Sequence, residues 1–236
     1  MERIGRESIY RDRNAVQTKP ATSVALTKPA PEIDLDNLVA KVQKGDGRTV
    51  LVMPPLGRGD ACTTVVREFL IRIGYDAQGW NLGVNPGPTT RILNGVADRL
   101  QELFDVRGAV SLLGFSMGGM FARWLALRKP ERVRQVITVC SPIHEPARSF
   151  WLPLGPLIGF WRGHDLNRLA EEIARPLPVP RTILFSREDG IVNWLSCVDR
   201  SCPEDCFEIA GPHTLIAHNP RVMSIVADRL VRSDVR

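Results

Sequence analysis

The sequence has none of the long apolar runs that mark a membrane-spanning chain. No run reaches the roughly 18 residues that a spanning helix needs, so we expect no transmembrane segment. The N-terminal residues are polar and contain several arginines without an apolar core, which argues against a secretory signal. Acidic residues among those arginines argue against a transit peptide. We therefore expect a cytoplasmic protein in which a flexible arm, residues 1–31, precedes one folded domain, residues 32–236.

Cysteine is scarce, and its odd number argues against a framework of disulfides. The chain contains five cysteines, and three of them, Cys197, Cys202 and Cys206, lie close together without the Cys-x-x-Cys spacing of many zinc sites. We expect reduced thiols and neither a metal nor another cofactor. A local disulfide and a zinc site are the less favoured alternatives for this cluster.

A strong excess of one charge is also lacking. The net charge is +5, the arginines are scattered, and no pattern of basic and aromatic residues accompanies them. We therefore expect no nucleic-acid partner. The hydrophobic content of 44% and charged content of 24% are ordinary for a folded domain with a large core.

Buried apolar runs alternate with helical patterns along the chain. This alternation predicts an α/β domain with one mostly parallel sheet of about six strands, flanked by helices. The predicted strands are 49–53, 75–80, a run beginning at 109, 136–140, 182–185 and 206–209. Helical patterns lie between most of these strands, and a further one, which includes Val222 and Leu230, closes the chain.

The stretch from Ala109 to Met120 is the most informative part of the sequence. A buried apolar strand runs into Gly-Phe-Ser-Met-Gly at 114–118, and apolar residues at helical spacing follow. Such a turn lifts a serine hydroxyl above a sheet in strained geometry, and its glycines lie where a Cβ would collide with neighbouring backbone. Ser116 is therefore the predicted nucleophile, and an ordinary structural turn is the alternative.

Candidates for a catalytic acid and base follow the last two predicted strands. A serine nucleophile needs a histidine to take its proton and a carboxylate to orient that histidine. Where the serine lies in a strand–turn–helix elbow, as here, the carboxylate and then the histidine follow it along the chain. Asp189 follows the fifth strand, and the Gly-Ile-Val after it favours this residue over its neighbour Glu188. His213 follows the sixth strand and is favoured as the base over His218, at the start of the last helix.

Two backbone amides form the predicted oxyanion hole. One is the N–H of Met117, at the N-terminus of the helix after the serine. The other comes from the loop after the first strand, where Pro54 and Pro55 have no N–H and Leu56 provides the first amide. Because both donors belong to the backbone, changing these side chains should matter less than removing Ser116.

An apolar segment with several prolines interrupts the alternation at about residues 145–165. It follows the fourth strand, so it should lie over the sheet edge at which α/β proteins bind ligands. We predict a short lid-like insertion that supplies an apolar wall for a substrate, with ordinary core packing as the equal alternative. The pocket residues that this interpretation predicts are His144, Trp151, Leu154 and Phe160.

Several blocks of the sequence resemble the α/β-hydrolase superfamily and, within it, the small lipase-like and esterase-like hydrolases of bacteria. The resemblance runs from about Thr49 to Leu230 and is carried, beyond the serine turn, by residues 52–60, 79–85, 186–192, 211–213 and 218–220. It implies the α/β-hydrolase fold and ester hydrolysis through an acyl-enzyme without a cofactor, and it supports the roles given to Asp189 and His213. The chain has Pro54-Pro55 where many members have His-Gly or Pro-Gly.

A carboxylesterase acting on a small-molecule ester is thus the leading hypothesis. Thioester hydrolysis or acyl transfer with the same triad is an alternative within the same chemistry. A binding protein that keeps the fold without catalysis is the alternative from another class.

Overall fold

The computed structural model describes residues 33–144 and 164–232, and the regular elements there follow the alternation seen in the sequence. The strands are β1 (Thr49–Met53), β2 (Asp76–Gly79), β3 (Val110–Phe115), β4 (Val133–Val139), β5 (Arg181–Phe185) and β6 (Cys206–Glu208). The α-helices are α1 (Leu35–Ala40), α2 (Thr64–Arg72), α3 (Thr90–Arg107), α4 (Met117–Arg128), α5 (His164–Ile173), α6 (Trp194–Cys197) and α7 (Pro220–Arg232). Short 3₁₀ turns lie at Asp60–Thr63, Pro130–Arg132, Pro203–Asp205 and His213–His218.

The six strands form one sheet in the order β2-β1-β3-β4-β5-β6, and every neighbouring pair is parallel. This result confirms the predicted parallel sheet flanked by helices. Because all strands point the same way, the loops after them emerge at one edge. That edge carries Ser116, Asp189 and His213, which follow β3, β5 and β6.

Alternation along β1 shows how the sheet separates two cores. Val50 and Val52 pack with residues of α2 and α7, with α1 at the margin of this core. Leu51 and Met53 face the opposite side and pack with residues of α3, α4 and α5. All four side chains are fully buried, which explains why β1 is a continuous apolar run rather than an alternating one.

The observed elements differ from the predicted ones mainly at their ends. β4 starts three residues earlier than predicted, at Val133, and stops at Val139 because Cys140 has a φ of 49°, outside the strand region. Helix α5 was not predicted, and neither was the short helix α6. The predicted N-terminal arm, residues 1–31, lies outside the described residues, as does most of the predicted lid-like insertion.

A buried arginine ties α5 to α4. Arg123 of α4 is fully buried, and its guanidinium donates hydrogen bonds to the carbonyl oxygens of Ile173 at 2.7 Å and Arg175 at 2.8 Å. Burial lowers the pKa of Arg123 to about 10, which still leaves the side chain charged at neutral pH. The cation therefore satisfies carbonyls at the C-terminal end of α5, where the helix dipole favours positive charge.

Among residues 33–144 and 164–232, the helices are too short or too polar to cross a membrane.

The start of α4 lies unusually close to the sheet. A Cβ on Gly114 would overlap the backbone of Gly118, and a Cβ on Gly118 would overlap the carbonyl of Met53 and lie 2.9 Å from that of Pro54. Such contacts leave no room for a methyl group. The prediction that glycine is required at both ends of the turn is therefore confirmed.

We expect Gly118→Ala to lower the free energy of unfolding by about 3 kcal/mol, because its methyl group would meet rigid backbone. Urea denaturation measures the change. Gly47→Ala is the matched control: Gly47 has open space around it but a φ of 81°, so its loss should be about 1–2 kcal/mol. Equal losses in the two variants would show that α4 can move away from β1.

Candidate active site

Ser116 occupies a strained turn between β3 and α4. Its φ is 51° and its ψ is −117°, a conformation that costs a non-glycine residue about 1–3 kcal/mol. Its N–H donates to the carbonyl of Val139 at 2.8 Å, and its carbonyl accepts from Gly119 at 3.0 Å. These bonds hold the strained residue between two strands and the first turn of α4, with 6% of its surface exposed.

Asp189 lies on the loop after β5 and is almost fully buried. Its Oδ1 accepts hydrogen bonds from the N–H groups of Ile191 at 3.0 Å and Val192 at 2.6 Å. Its Oδ2 lies 2.7 Å from Nδ1 of His213. The carboxylate is therefore fixed by its own loop on one side and faces the histidine on the other.

The neighbouring Glu188 has a different partner. Its Oε2 accepts a hydrogen bond from the N–H of Gly211 at 2.8 Å, two residues before His213. The carbonyl of Gly211 accepts from the hydroxyl of Ser186 at 2.7 Å. Glu188 thus helps to hold the loop after β6, whereas Asp189 contacts the imidazole.

His213 begins the 3₁₀ turn that follows β6 and is bound to Asp189 twice. Its backbone N–H donates to the Asp189 carbonyl at 3.0 Å, and its Nδ1 contacts the carboxylate. The second contact favours the tautomer with a proton on Nδ1, because a carboxylate accepts hydrogen bonds. The side chain is 10% exposed, and Nε2 is the ring nitrogen left for a reacting group. His218, the alternative base, ends the same turn.

Cys140 is a member of the site that the sequence reasoning missed. The Sγ atom of Cys140, a carboxylate oxygen of Asp189 and a ring nitrogen of His213 lie within 4.8 Å of one another. Because Cys140 directly follows β4, this places the imidazole over the strand next to β3, which carries Ser116. Cys140 lies at the end of a predicted strand, which is the criterion that pointed to Asp189. This position could have indicated that Cys140 lies near the site.

Among the described residues, these three side chains are also close enough together that they could hold a metal ion. In this conformation the Asp189 and His213 atoms already form a direct hydrogen bond of 2.7 Å. Burial, and then the charge of Asp189, raise the pKa of the Cys140 thiol well above its usual value. The arrangement thus matches a hydrogen-bonded carboxylate–imidazole pair better than a set of separated metal ligands.

The two predicted oxyanion donors follow neighbouring strands of the sheet. Met117 starts α4 after β3, and Leu56 follows β1, whose Met53 pairs with Gly114 of β3. In the part of the chain that the structure describes, neither N–H donates a hydrogen bond to another protein group. The contact of Gly118 with the carbonyls of Met53 and Pro54 brings the two segments together.

The predicted substrate-binding residues fall largely outside the described part of the chain. Trp151, Leu154 and Phe160 belong to residues 145–163, which the structure does not describe. His144 is half-buried, and its backbone N–H donates to the carbonyl of Ser196 at 3.0 Å, next to a bond from Ile143 to the same oxygen. The pocket-lining role of all four residues stays a prediction.

A comparison with known families agrees with this architecture. Residues 80–163, which include Ser116, match the family model described as the alpha/beta hydrolase fold. The chain has the α/β-hydrolase fold that was expected from the sequence.

Solved structures of several lipases and esterases share the fold of this hydrolase-fold chain. The mature lipase BlEst2 of Bacillus licheniformis has a TM-score of 0.60 at 15% identity, covering 80% of this chain and 94% of its own. The metagenomic carboxyl esterase MGS0156 has a TM-score of 0.59 at 15% identity, covering 89% and 80%. The monoacylglycerol lipase of Paleococcus ferrophilus has a TM-score of 0.57 at 14% identity, covering 80% and 97%.

All five cysteines of this hydrolase-fold protein are free in the structure. Burial raises the pKa of Cys62 and Cys202 to about 11 and that of Cys206 to about 12. The thiols of Cys140 and Cys197 have their pKa shifted upward by burial as well. Each thiol is therefore protonated at neutral pH.

We expect the folded protein to resist iodoacetamide at pH 7.5, because only the thiolate is nucleophilic and these thiols are protonated. Mass spectrometry should find little alkylation in the native protein and modification of all five cysteines in urea. Labelling of the native protein should rise as the pH approaches 11. Rapid alkylation of one cysteine at pH 7.5 would contradict the assigned protonation state.

Proposed function

We propose that this protein is a serine hydrolase that cleaves carboxylic esters through an acyl-enzyme. Ser116 is the nucleophile, His213 the base and Asp189 the residue that orients the histidine. The proposal rests on the 2.7 Å contact between Asp189 and His213, together with the position of Ser116 in the strained turn after β3. Acyl transfer requires a carboxylate–imidazole pair and a serine whose hydroxyl is held above the edge of the sheet.

In the first half of the reaction, Ser116 Oγ attacks the ester carbonyl carbon while Nε2 of His213 takes the hydroxyl proton. Asp189 stabilises the imidazolium that results. The N–H groups of Leu56 and Met117 donate to the oxygen that becomes negative in the tetrahedral intermediate. His213 then gives its proton to the alcohol oxygen as the ester bond breaks, which leaves the acyl group on Ser116.

In the second half, His213 takes a proton from water, and the resulting hydroxide attacks the acyl-enzyme carbonyl. The same two amides hold the second oxyanion. When this intermediate collapses, the proton returns from His213 to Ser116 Oγ and the carboxylic acid leaves. The roles of the chain's own residues therefore account for both steps.

The comparisons support an ester as the substrate. The solved structures with this fold include two lipases and a carboxyl esterase. At 14–15% identity these likenesses support the fold, and the choice of reaction rests on the arrangement of Ser116, Asp189 and His213. The apolar composition of residues 145–163 favours an apolar acyl group.

We expect wild type to hydrolyse p-nitrophenyl esters within a series of two to sixteen carbons and Ser116→Ala to lose at least about 10⁴-fold in kcat. A fluorophosphonate probe should label Ser116 in the wild-type protein. Ser224→Ala, which removes a hydroxyl bonded to the carbonyl of Pro220 in α7, should retain full activity. Hydrolysis by Ser116→Ala at the wild-type rate would refute the assignment.

The same assay extended to acyl-CoA and to alcohol acceptors separates the related reactions. Faster turnover of thioesters would move the assignment to a thioesterase, and ester formation with an alcohol would indicate acyl transfer. A folded wild-type protein that neither turns over these substrates nor reacts with the probe would be a non-catalytic binding protein.

We expect Asp189→Asn to reduce kcat by about 10⁴-fold, because an amide cannot hold His213 in the required tautomer. Glu188→Gln is the matched control, since it makes the same chemical change at the adjacent residue. It should alter kcat by less than about tenfold, because Glu188 contacts the loop and not the imidazole. A larger loss in Glu188→Gln than in Asp189→Asn would exchange the two roles.

A further inference from the structure

We infer that Asn85 is a positioning residue that holds the backbone of the oxyanion loop, residues 54–58, in its working geometry. The inference rests on the proposed function for its catalytic consequence. It gives a role to the block 79–85, which the triad leaves unexplained.

Few hydrogen bonds within the oxyanion loop hold its backbone in place. Pro54 and Pro55 have no N–H, so the start of the loop can accept hydrogen bonds but cannot donate them. The next amide, that of Leu56, must stay unpaired if it is to donate to an oxyanion. One bond within the loop is present, from Arg58 N–H to the Pro55 carbonyl at 3.2 Å. The remaining restraints must come from outside the loop.

Asn85 supplies these restraints on both sides of Leu56. Its Nδ2 donates to the Pro54 carbonyl at 2.9 Å, and its own carbonyl accepts from the N–H of Gly57 at 2.8 Å. Its backbone N–H donates to the carbonyl of Arg58 at 2.8 Å. Three hydrogen bonds from one residue thus bracket the amide that is proposed to bind the oxyanion.

The side chain of Asn85 is buried and hydrogen-bonded at both ends of its amide, so it cannot bind a substrate. It has 0% exposure, and while Nδ2 is bonded to Pro54, Oδ1 accepts from the N–H of Gly87 at 3.0 Å. A buried amide with both ends paired fixes the groups that it joins. Asn85 is therefore a positioning residue, not a second oxyanion donor.

The segment that carries Asn85 is itself anchored. The carboxylate of Asp60 accepts from the N–H groups of Trp80 and Asn81, both at 3.0 Å. The indole of Trp80 is buried, donates to the carbonyl of Gly83 at 2.9 Å and stacks on Phe121 of α4, with ring centroids 6.4 Å apart. The segment that carries Asn85 therefore packs against α4, the helix that begins next to Ser116.

Two substitutions test the inference. Asn85→Asp keeps the shape and the acceptor for Gly87 but places a carboxylate oxygen against the Pro54 carbonyl, and Asn85→Ala removes both contacts. We expect kcat for a p-nitrophenyl ester to fall by about 10–100-fold, part of the loss caused by removing a whole oxyanion donor. KM should stay within about twofold, because the ester ground state does not need the hole.

Two further readouts separate positioning from general destabilisation. Affinity for an alkyl trifluoromethyl ketone, whose adduct places an oxyanion in the hole, should fall by the same factor as kcat. Amide hydrogen exchange should become faster at Gly57. Gln135→Ala is the matched control, because the buried amide of Gln135 donates to the hydroxyl of Ser111 at 3.5 Å near the N-terminal ends of β3 and β4. These ends lie opposite the sheet edge that carries Ser116, so the variant should lose stability and keep kcat.

The outcomes distinguish this inference from the proposed function. If Ser116→Ala is as active as wild type, the proposed function fails, and exchange at Gly57 alone still tests whether Asn85 holds the loop. If Ser116 is essential but folded Asn85→Asp keeps kcat within twofold of wild type, the positioning role is refuted. Unchanged exchange at Gly57 in both Asn85 variants refutes it as well.

Discussion

The close contact between the start of α4 and the end of β1 is the constraint on which the rest of the site depends. Gly118 lets the helix backbone lie against the carbonyls of Met53 and Pro54, and Gly114 lets the strand before it turn sharply. With the helix in that position, Ser116 has to adopt its left-handed conformation. This steric relation thus fixes the positions of Ser116, the Met117 amide and the loop that begins at Pro54 relative to one another.

The remaining parts of the site are fixed by hydrogen bonds between loops rather than by packing. Asp189 is held by its own loop and in turn binds His213 through both backbone and side chain. Glu188 and Ser186 hold Gly211, just before the histidine. The loops that carry Asp189 and His213 therefore form one unit, which leaves little freedom for the imidazole to rotate.

Much of this architecture could be predicted from the sequence because its signals are local. A run such as Thr49–Met53 is apolar at nearly every position, and the glycines on both sides of Ser116 indicate a tight turn. Asp189 could be distinguished from Glu188 only by the residues that follow it. The structure brings the preferred carboxylate to His213 and gives its neighbour another partner.

The features that escaped prediction depend on contacts between distant segments. Cys140 and Asn85 lie beside residues 49 and 31 positions away, Asp189 and Pro54, and no local pattern identifies such distant neighbours. The end of β4 was misplaced because Cys140 continues the apolar run while its backbone leaves the strand. Helix α5 was missed because it follows a segment whose composition suggested a long loop.

The buried Arg123 has a consequence for changes in the sequence of residues 145–163. The chain before residue 145 is tied to Ser196, and the chain after residue 163 enters α5, whose far end is bonded to Arg123. The residues just before the intervening segment and the C-terminal end of the helix just after it are therefore both bonded to the body of the fold. Because these bonds lie outside residues 145–163, a change in the sequence of that segment does not remove them.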